Sequence, residues 1–187
     1  MRFVSFAEGA IKGLAVETPN GLRGLSENLP GYPGSLFELL GRGAQALQHA
    51  HRQLSEAPLL DASRIRYLAP IERPGKIVCV GLNYADHTKE SPYEQPDYPT
   101  FFPRFSTTLI GHGEAIVRPL ASGQLDYEGE LAVIIGTRGR HISRENALAH
   151  VAGYSIFNVA QLIAVLSEAV TLEPGDVIVT GTPAGIG

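Results

Sequence analysis

The chain has 187 residues, a formal net charge of −4, 44% apolar and 18% charged residues, which is the composition of a soluble globular protein with a real core. Neither the charge nor any Lys/Arg-rich run points to nucleic acid. The 21 glycines and 13 prolines favour a turn-rich β architecture over a helix bundle, and a single cysteine excludes an intramolecular disulfide framework.

Residues 2–25 read as two or three short strands, with Pro19-Asn20-Gly21 favouring a tight hairpin. Ser35 to Leu54 reads as one helix: Leu36, Leu39, Leu40 and Leu47 share a side, and Ser35 stands at the N-cap. Residues 59–74 are extended and punctuated by proline, a linker between a small N-terminal unit (1–70) and a main domain (71–187). Residues 76–81 form an apolar run bounded by glycines, read as a buried strand, with Cys79 a small core residue rather than a nucleophile. The lone thiol and the lack of a signal-like apolar leader or a transmembrane stretch give a reducing cytoplasm as the expected compartment.

The strand at 76–81 empties into a polar segment, 82–90, suited to a helical turn. Residues 92–103, rich in proline and aromatics, suggest an ordered loop. Residues 131–135 form a β-branched run read as a buried strand. Ser143 can cap a short helix through Val151, and 154–157 returns to strand. Val159, Leu162, Ile163, Leu166 and Val170 recur at helical spacing, so 159–170 reads as an amphipathic helix. After the Pro174-Gly175 turn, 177–180 is a strand running into a glycine-rich stretch, 181–187.

The chemistry-bearing residues cluster in three places. If the strand at 131–135 begins near 125, Asp126, Glu128 and Glu130 point the same way, because side chains alternate along a strand. Three carboxylates on one face either share a hard divalent cation or form a solvated acidic face, and spacing alone leaves the two even. His87 and Glu90 share the face of a helical turn, where the carboxylate can orient the imidazole as a general base; a surface pair without a task is the bland reading. The stretch 181–187 offers Thr182 and free backbone N–H groups to a carboxylate or phosphate. Arg104 and Arg118 could clamp an acidic substrate. His112, His141 and His150 lack metal-ligand spacing.

Four segments together resemble the fumarylacetoacetate hydrolase family: VGLNYADHTKE at 80–90, FSTTLIGHG at 105–113, DYEGELAV at 126–133 and LEPGDVIVTGTP at 172–183. They occur in the family's order and cover most of the chain from about Lys76. The resemblance implies an α+β fold, predominantly β, in which a mixed β-sandwich roll follows a small N-terminal α+β unit, usually as a homodimer. It implies a Mg²⁺ (or Mn²⁺ or Ca²⁺) site with Glu128 and Glu130 as ligands, His87 and Glu90 as a water-activating dyad, and Thr182 against the substrate carboxylate. Tyr84 and Arg104 complete the expected substrate contacts.

The resemblance also implies gaps. Where the family places its next metal ligand, an Asp, this chain has Val159, and a following stretch with a substrate-contacting lysine is missing, as is the closing β segment after Gly187. Loss of core strands should expose sheet edges that a folded roll could hardly tolerate, so the expectation is a protein more complete than this sequence. The function expected is metal-dependent hydrolysis of a carbon–carbon bond in a β-diketo acid, such as an acylpyruvate or fumarylpyruvate, in catabolism. Decarboxylation or isomerisation of a hydroxymuconate-type 2-oxo diacid is the alternative within the fold. A non-catalytic, vestigial homologue is the alternative of another class.

Overall fold

Short runs with consecutive apolar residues, separated by tight turns, build the first three strands of the computed structural model: β1 (Phe3–Glu8), β2 (Ile11–Thr18) and β3 (Gly21–Ser26). The structure describes residues 1–84, 94, 96–117, 120, 130–155 and 171–181. The expected hairpin forms with Thr18 opposite Gly21, and the Thr18 hydroxyl donates to the Gly21 carbonyl at 2.7 Å. A short β4 (Arg66–Tyr67) joins the other side of β1, giving an antiparallel sheet in the order β3-β2-β1-β4.

The helix expected over 35–54 is two helices, α1 (Leu36–Arg42) and α2 (Ala44–Ser55), broken at Gly43 by a backbone φ of 87°. The apolar spacing runs through the break, so periodicity alone does not reveal it. Ser35 caps α1 in a reciprocal arrangement with Glu38, which satisfies amides that the first turn leaves unpaired. Leu47, Ala50 and Leu54 of α2 recur at helical spacing and are buried, as are Phe6, Leu14 and Val16 of the sheet.

These elements belong to one compact unit, Met1–Arg73 with Thr107–Ala115; the other is Pro74–Ser106 with Ile116–Gly187. Residues 107–115, placed in the main domain on sequence, thus fold with the first unit. There Glu114 accepts from Arg66 at 2.6 Å and from the Gly111 amide at 3.0 Å. Gly111 sits so close that a Cβ would lie 1.8 Å from the Tyr67 carbonyl oxygen.

The second unit holds β5 (Ile77–Gly81), β6 (Thr100–Arg104), β7 (Ala132–Ile135), β8 (Val151–Ser155) and β9 (Val177–Val179). They form a mixed sheet ordered β6-β5-β9-β7-β8, in which β5 and β9 run parallel and the other pairs antiparallel. The loop expected over 92–103 therefore ends in strand. Pro103 lies opposite Val78, and it is tolerated because β6 is the outermost strand on that side among the described residues, where a missing N–H deprives no second described neighbour. Val80, Val133, Ile135, Ala147, Leu172 and Ile178 make the core, and Cys79 is buried, as expected. A 3₁₀ helix (Arg144–His150) stands where a short helix was expected, and β8 begins three residues before the expected strand. The expected helix at 159–170 and the junction of residues 158 and 159 lie outside the described residues.

Asp176, 2% exposed, ties β9 to the start of β5: it accepts from the Lys76 ammonium at 2.8 Å, the Lys76 amide at 3.1 Å and the Glu173 amide at 2.7 Å. Asp176→Ala strands those donors and is expected to cost about 3 kcal/mol in urea unfolding, less than a fully buried pair because Lys76 is partly solvated. A cost under about 1 kcal/mol would show that the carboxylate does not hold the strands together.

Candidate active site

Strand direction gathers the polar groups. Cys79 pairs with Val179, Val179 with Ala132, Ala132 with Ser155, and Gly81 with Thr100. The carboxyl ends of β5, β8 and β9 and the amino ends of β6 and β7 therefore share one edge of the sheet. Backbone leaving the carboxyl ends of parallel strands is where open sheets place ligand groups, since the chain there is free of ladder bonding. Asn83 and Tyr84 follow β5, Glu130 and Leu131 precede β7, and Thr180 and Gly181 follow β9.

Four hydrogen bonds knit these residues together. Thr180 donates its amide to the Leu131 carbonyl at 3.0 Å and accepts at its own carbonyl from Asn83 Nδ2 at 2.7 Å. The Tyr84 hydroxyl lies 3.2 Å from Thr180 Oγ1. The Gly181 amide donates to Glu130 Oε2 at 2.6 Å. A carboxylate receiving a backbone N–H makes a charge-assisted bond, stronger and more directional than a neutral one, so the Glu130 head is fixed.

The backbone is specialised to allow this. Gly181 has φ +93°, and a Cβ there would lie 2.7 Å from the Val80 carbonyl oxygen. Leu82, between β5 and Asn83, holds φ 50°, a left-handed conformation that a branched side chain rarely adopts. Burial pushes the Tyr84 phenol above its ordinary value, the Thr180 hydrogen bond opposes this, and the Glu130 charge adds to it. Tyr84 thus remains a protonated donor at neutral pH.

Of the residues singled out on sequence, the structure brings Tyr84 and Glu130 to this edge. Arg104 is not there: it pairs with Ile77 at the opposite end of β5, and its side chain is exposed. Four residues at about 3.3 Å each separate its backbone from that edge. His87, Glu90, Glu128, Thr182 and Arg118 lie outside the described residues, as does the shared face expected for Asp126, Glu128 and Glu130; Glu130 itself precedes the strand rather than lying in it. Asn83, Thr180 and Gly181 were given no role in the site on sequence beyond Gly181's place in the glycine-rich stretch. Their one signal is position, polar residues directly after apolar strand runs.

Among the described residues no group of three or more His, Cys, Asp or Glu could hold a metal ion. Glu130 by itself suits one ligand position of a hard divalent cation, being a half-buried oxygen donor with its orientation fixed.

A family model described as Fumarylacetoacetate (FAA) hydrolase C-terminal matches residues 76–158 and 155–187. The human protein named oxaloacetate tautomerase FAHD2A, mitochondrial, is 31% identical over 258 residues, covering 100% of this chain and 82% of that protein. Oxaloacetate tautomerase YisK of Bacillus subtilis (strain 168) is 31% identical, covering 83% of this chain and 77% of that protein. Among solved structures, the fumarylacetoacetate hydrolase of Exiguobacterium antarcticum has a TM-score of 0.79 at 30% identity, covering 100% of this chain and 88% of that one. Maleylpyruvate hydrolase from Sphingobium sp. SYK-6, in complex with manganese(II) and pyruvate, has a TM-score of 0.78 at 20% identity, covering 100% and 90%, a likeness of fold alone. The family match breaks at 155–158, and the human match runs over 258 residues against 187 here, so the relatives hold residues that this sequence lacks.

Gly181→Ala forces a side chain against the Val80 carbonyl at a strained φ. It is expected to lower stability by about 2 kcal/mol in chemical denaturation. A variant as stable as the parent would mean that the turn relaxes and Glu130 is not held by it.

Proposed function

The chain belongs to the fumarylacetoacetate hydrolase family, and from that we infer that its reaction passes through the enolate of a 2-oxo acid, with enol–keto tautomerisation of an oxaloacetate-type acid as the leading reading. What supports it is the convergence of the Glu130 carboxylate and the Tyr84 phenol on Thr180 and Gly181, at the edge where β5 and β9 end. Relatives matched over all or most of the chain at 30–31% identity are named oxaloacetate tautomerases, which favours this reading over the narrower carbon–carbon hydrolase expected on sequence.

Glu130, with Glu128 as the second ligand expected on sequence, would hold a Mg²⁺, Mn²⁺ or Ca²⁺, which would supply Lewis acidity toward the 2-oxo acid. The chain's own groups do the rest. The Gly181 amide holds Glu130 in one orientation, so the site does not reorganise as charge develops. Tyr84, kept protonated, donates a hydrogen bond to an oxygen that gains negative charge. His87 and Glu90, the acid–base pair expected on sequence, would move the proton between carbon and solvent.

Hydrolysis of a β-diketo acid is the second reading. It is favoured by the His87–Glu90 spacing, which suits a water-activating dyad, and by the likeness to a fumarylacetoacetate hydrolase at 30% identity. The two readings share the enolate and differ in whether water attacks a carbonyl.

Incubation with enol-oxaloacetate and Mg²⁺ or Mn²⁺ is expected to speed loss of the enol absorbance, and Glu130→Gln to slow it on the order of 100-fold. Acylpyruvates assayed alongside report hydrolysis as pyruvate release, which His87→Ala should abolish. A chain that accelerates neither reaction would overturn both readings and favour a vestigial homologue. Pyruvate release that survives His87→Ala would remove the dyad from the second.

A further inference from the structure

Thr180 is fully buried, and each of its polar groups has a named partner: the amide to Leu131, the carbonyl from Asn83 and the hydroxyl at Tyr84. Burying a hydroxyl is unfavourable unless it bonds, and valine would fill the same volume after the apolar run Val177–Val179 without that cost. The hydroxyl therefore needs a reason to be there. Thr180 and Gly181 are consecutive, and they hold the two functional groups of the edge: the phenol through a side chain, the carboxylate through an amide. Their spacing along the backbone sets the spacing between donor and carboxylate.

We propose that Thr180 is a positioning residue whose Oγ1 aims the Tyr84 hydroxyl at a ligand oxygen bound beside Glu130, making Tyr84 the hydrogen-bond donor to the carboxylate or enolate of a 2-oxo acid. Either hydroxyl of this pair can donate; with Thr180 taken as the donor to the phenol oxygen, the phenol's own proton turns away from Thr180. Asn83 completes the device: its amide on the Thr180 carbonyl fixes the backbone from the segment that carries Tyr84. The ligand class rests on the functional reading above; the positioning of Tyr84 does not.

The test uses the full chain with 3-fluorotyrosine at position 84. Thr180→Val is expected to shift and broaden the ¹⁹F resonance, and Thr180→Ser, which restores the hydroxyl alone, to return it. In parallel, calorimetry measures oxalate binding with Mg²⁺ present. Tyr84→Phe and Thr180→Val should each weaken oxalate about fivefold, and the double variant no further, because Thr180 acts only through the phenol. A ¹⁹F signal unchanged by Thr180→Val overturns the positioning role, as do losses that simply multiply in the double variant. Failure of the parent chain to bind oxalate counts against the functional reading, and the fluorine measurement still decides the role of Thr180.

Discussion

A carboxylate can sit half-buried at the end of a sheet only if something replaces the water it gives up. For Glu130 that replacement is the backbone amide of Gly181, at 2.6 Å. The bond exists because residue 181 adopts φ +93° and lies where a side chain would strike the Val80 carbonyl, so glycine is required there twice over. The rest of the edge is arranged around this contact. Thr180 brings the Tyr84 phenol to the same place, and the strain at Leu82 turns the chain leaving β5 toward it.

The opposite end of the sheet makes the arrangement possible. Asp176 pins the Lys76 amide and ammonium, and Val177 donates to the Lys76 carbonyl at 3.0 Å. The parallel register of β5 on β9 is fixed at that end. A slip by one residue would turn every inward side chain of a strand outward and separate Tyr84 from Thr180. One end of the sheet thus carries an ion pair with a buried carboxylate that sets register, and the other presents groups that can meet a ligand.

Local signals made much of this legible. The apolar runs at 77–81, 132–135 and 177–179 and the Pro-Asn-Gly turn announced strands and a hairpin, and four segments in register pointed to the family. The break at Gly43 was hidden because Leu36 to Leu47 keep one period across it. The strand containing Pro103 was hidden because proline argues against a strand unless the strand is known to be an edge, which is a property of the sheet and not of the segment. Arg104 looked available for an acidic ligand because exposure and charge are local, whereas the end of the sheet on which it lies is not. Thr180 and Asn83 had no local signal of partnership at all. They are 97 residues apart in sequence and meet only because β5 and β9 pair. The hydrolase expectation was finer than the family match supports, since relatives in the family carry names of hydrolases and of tautomerases alike.

The proposed function requires the edge holding Glu130 to receive a divalent cation and a 2-oxo acid. Titration of the full chain with Mn²⁺, followed by electron paramagnetic resonance, tests it most directly. Saturable binding by the parent chain is expected, with loss of that binding in Glu130→Gln and a change in the bound-ion spectrum when oxalate is added. Equal Mn²⁺ affinity in the parent and in Glu130→Gln, or a bound-ion spectrum indifferent to oxalate, would contradict it.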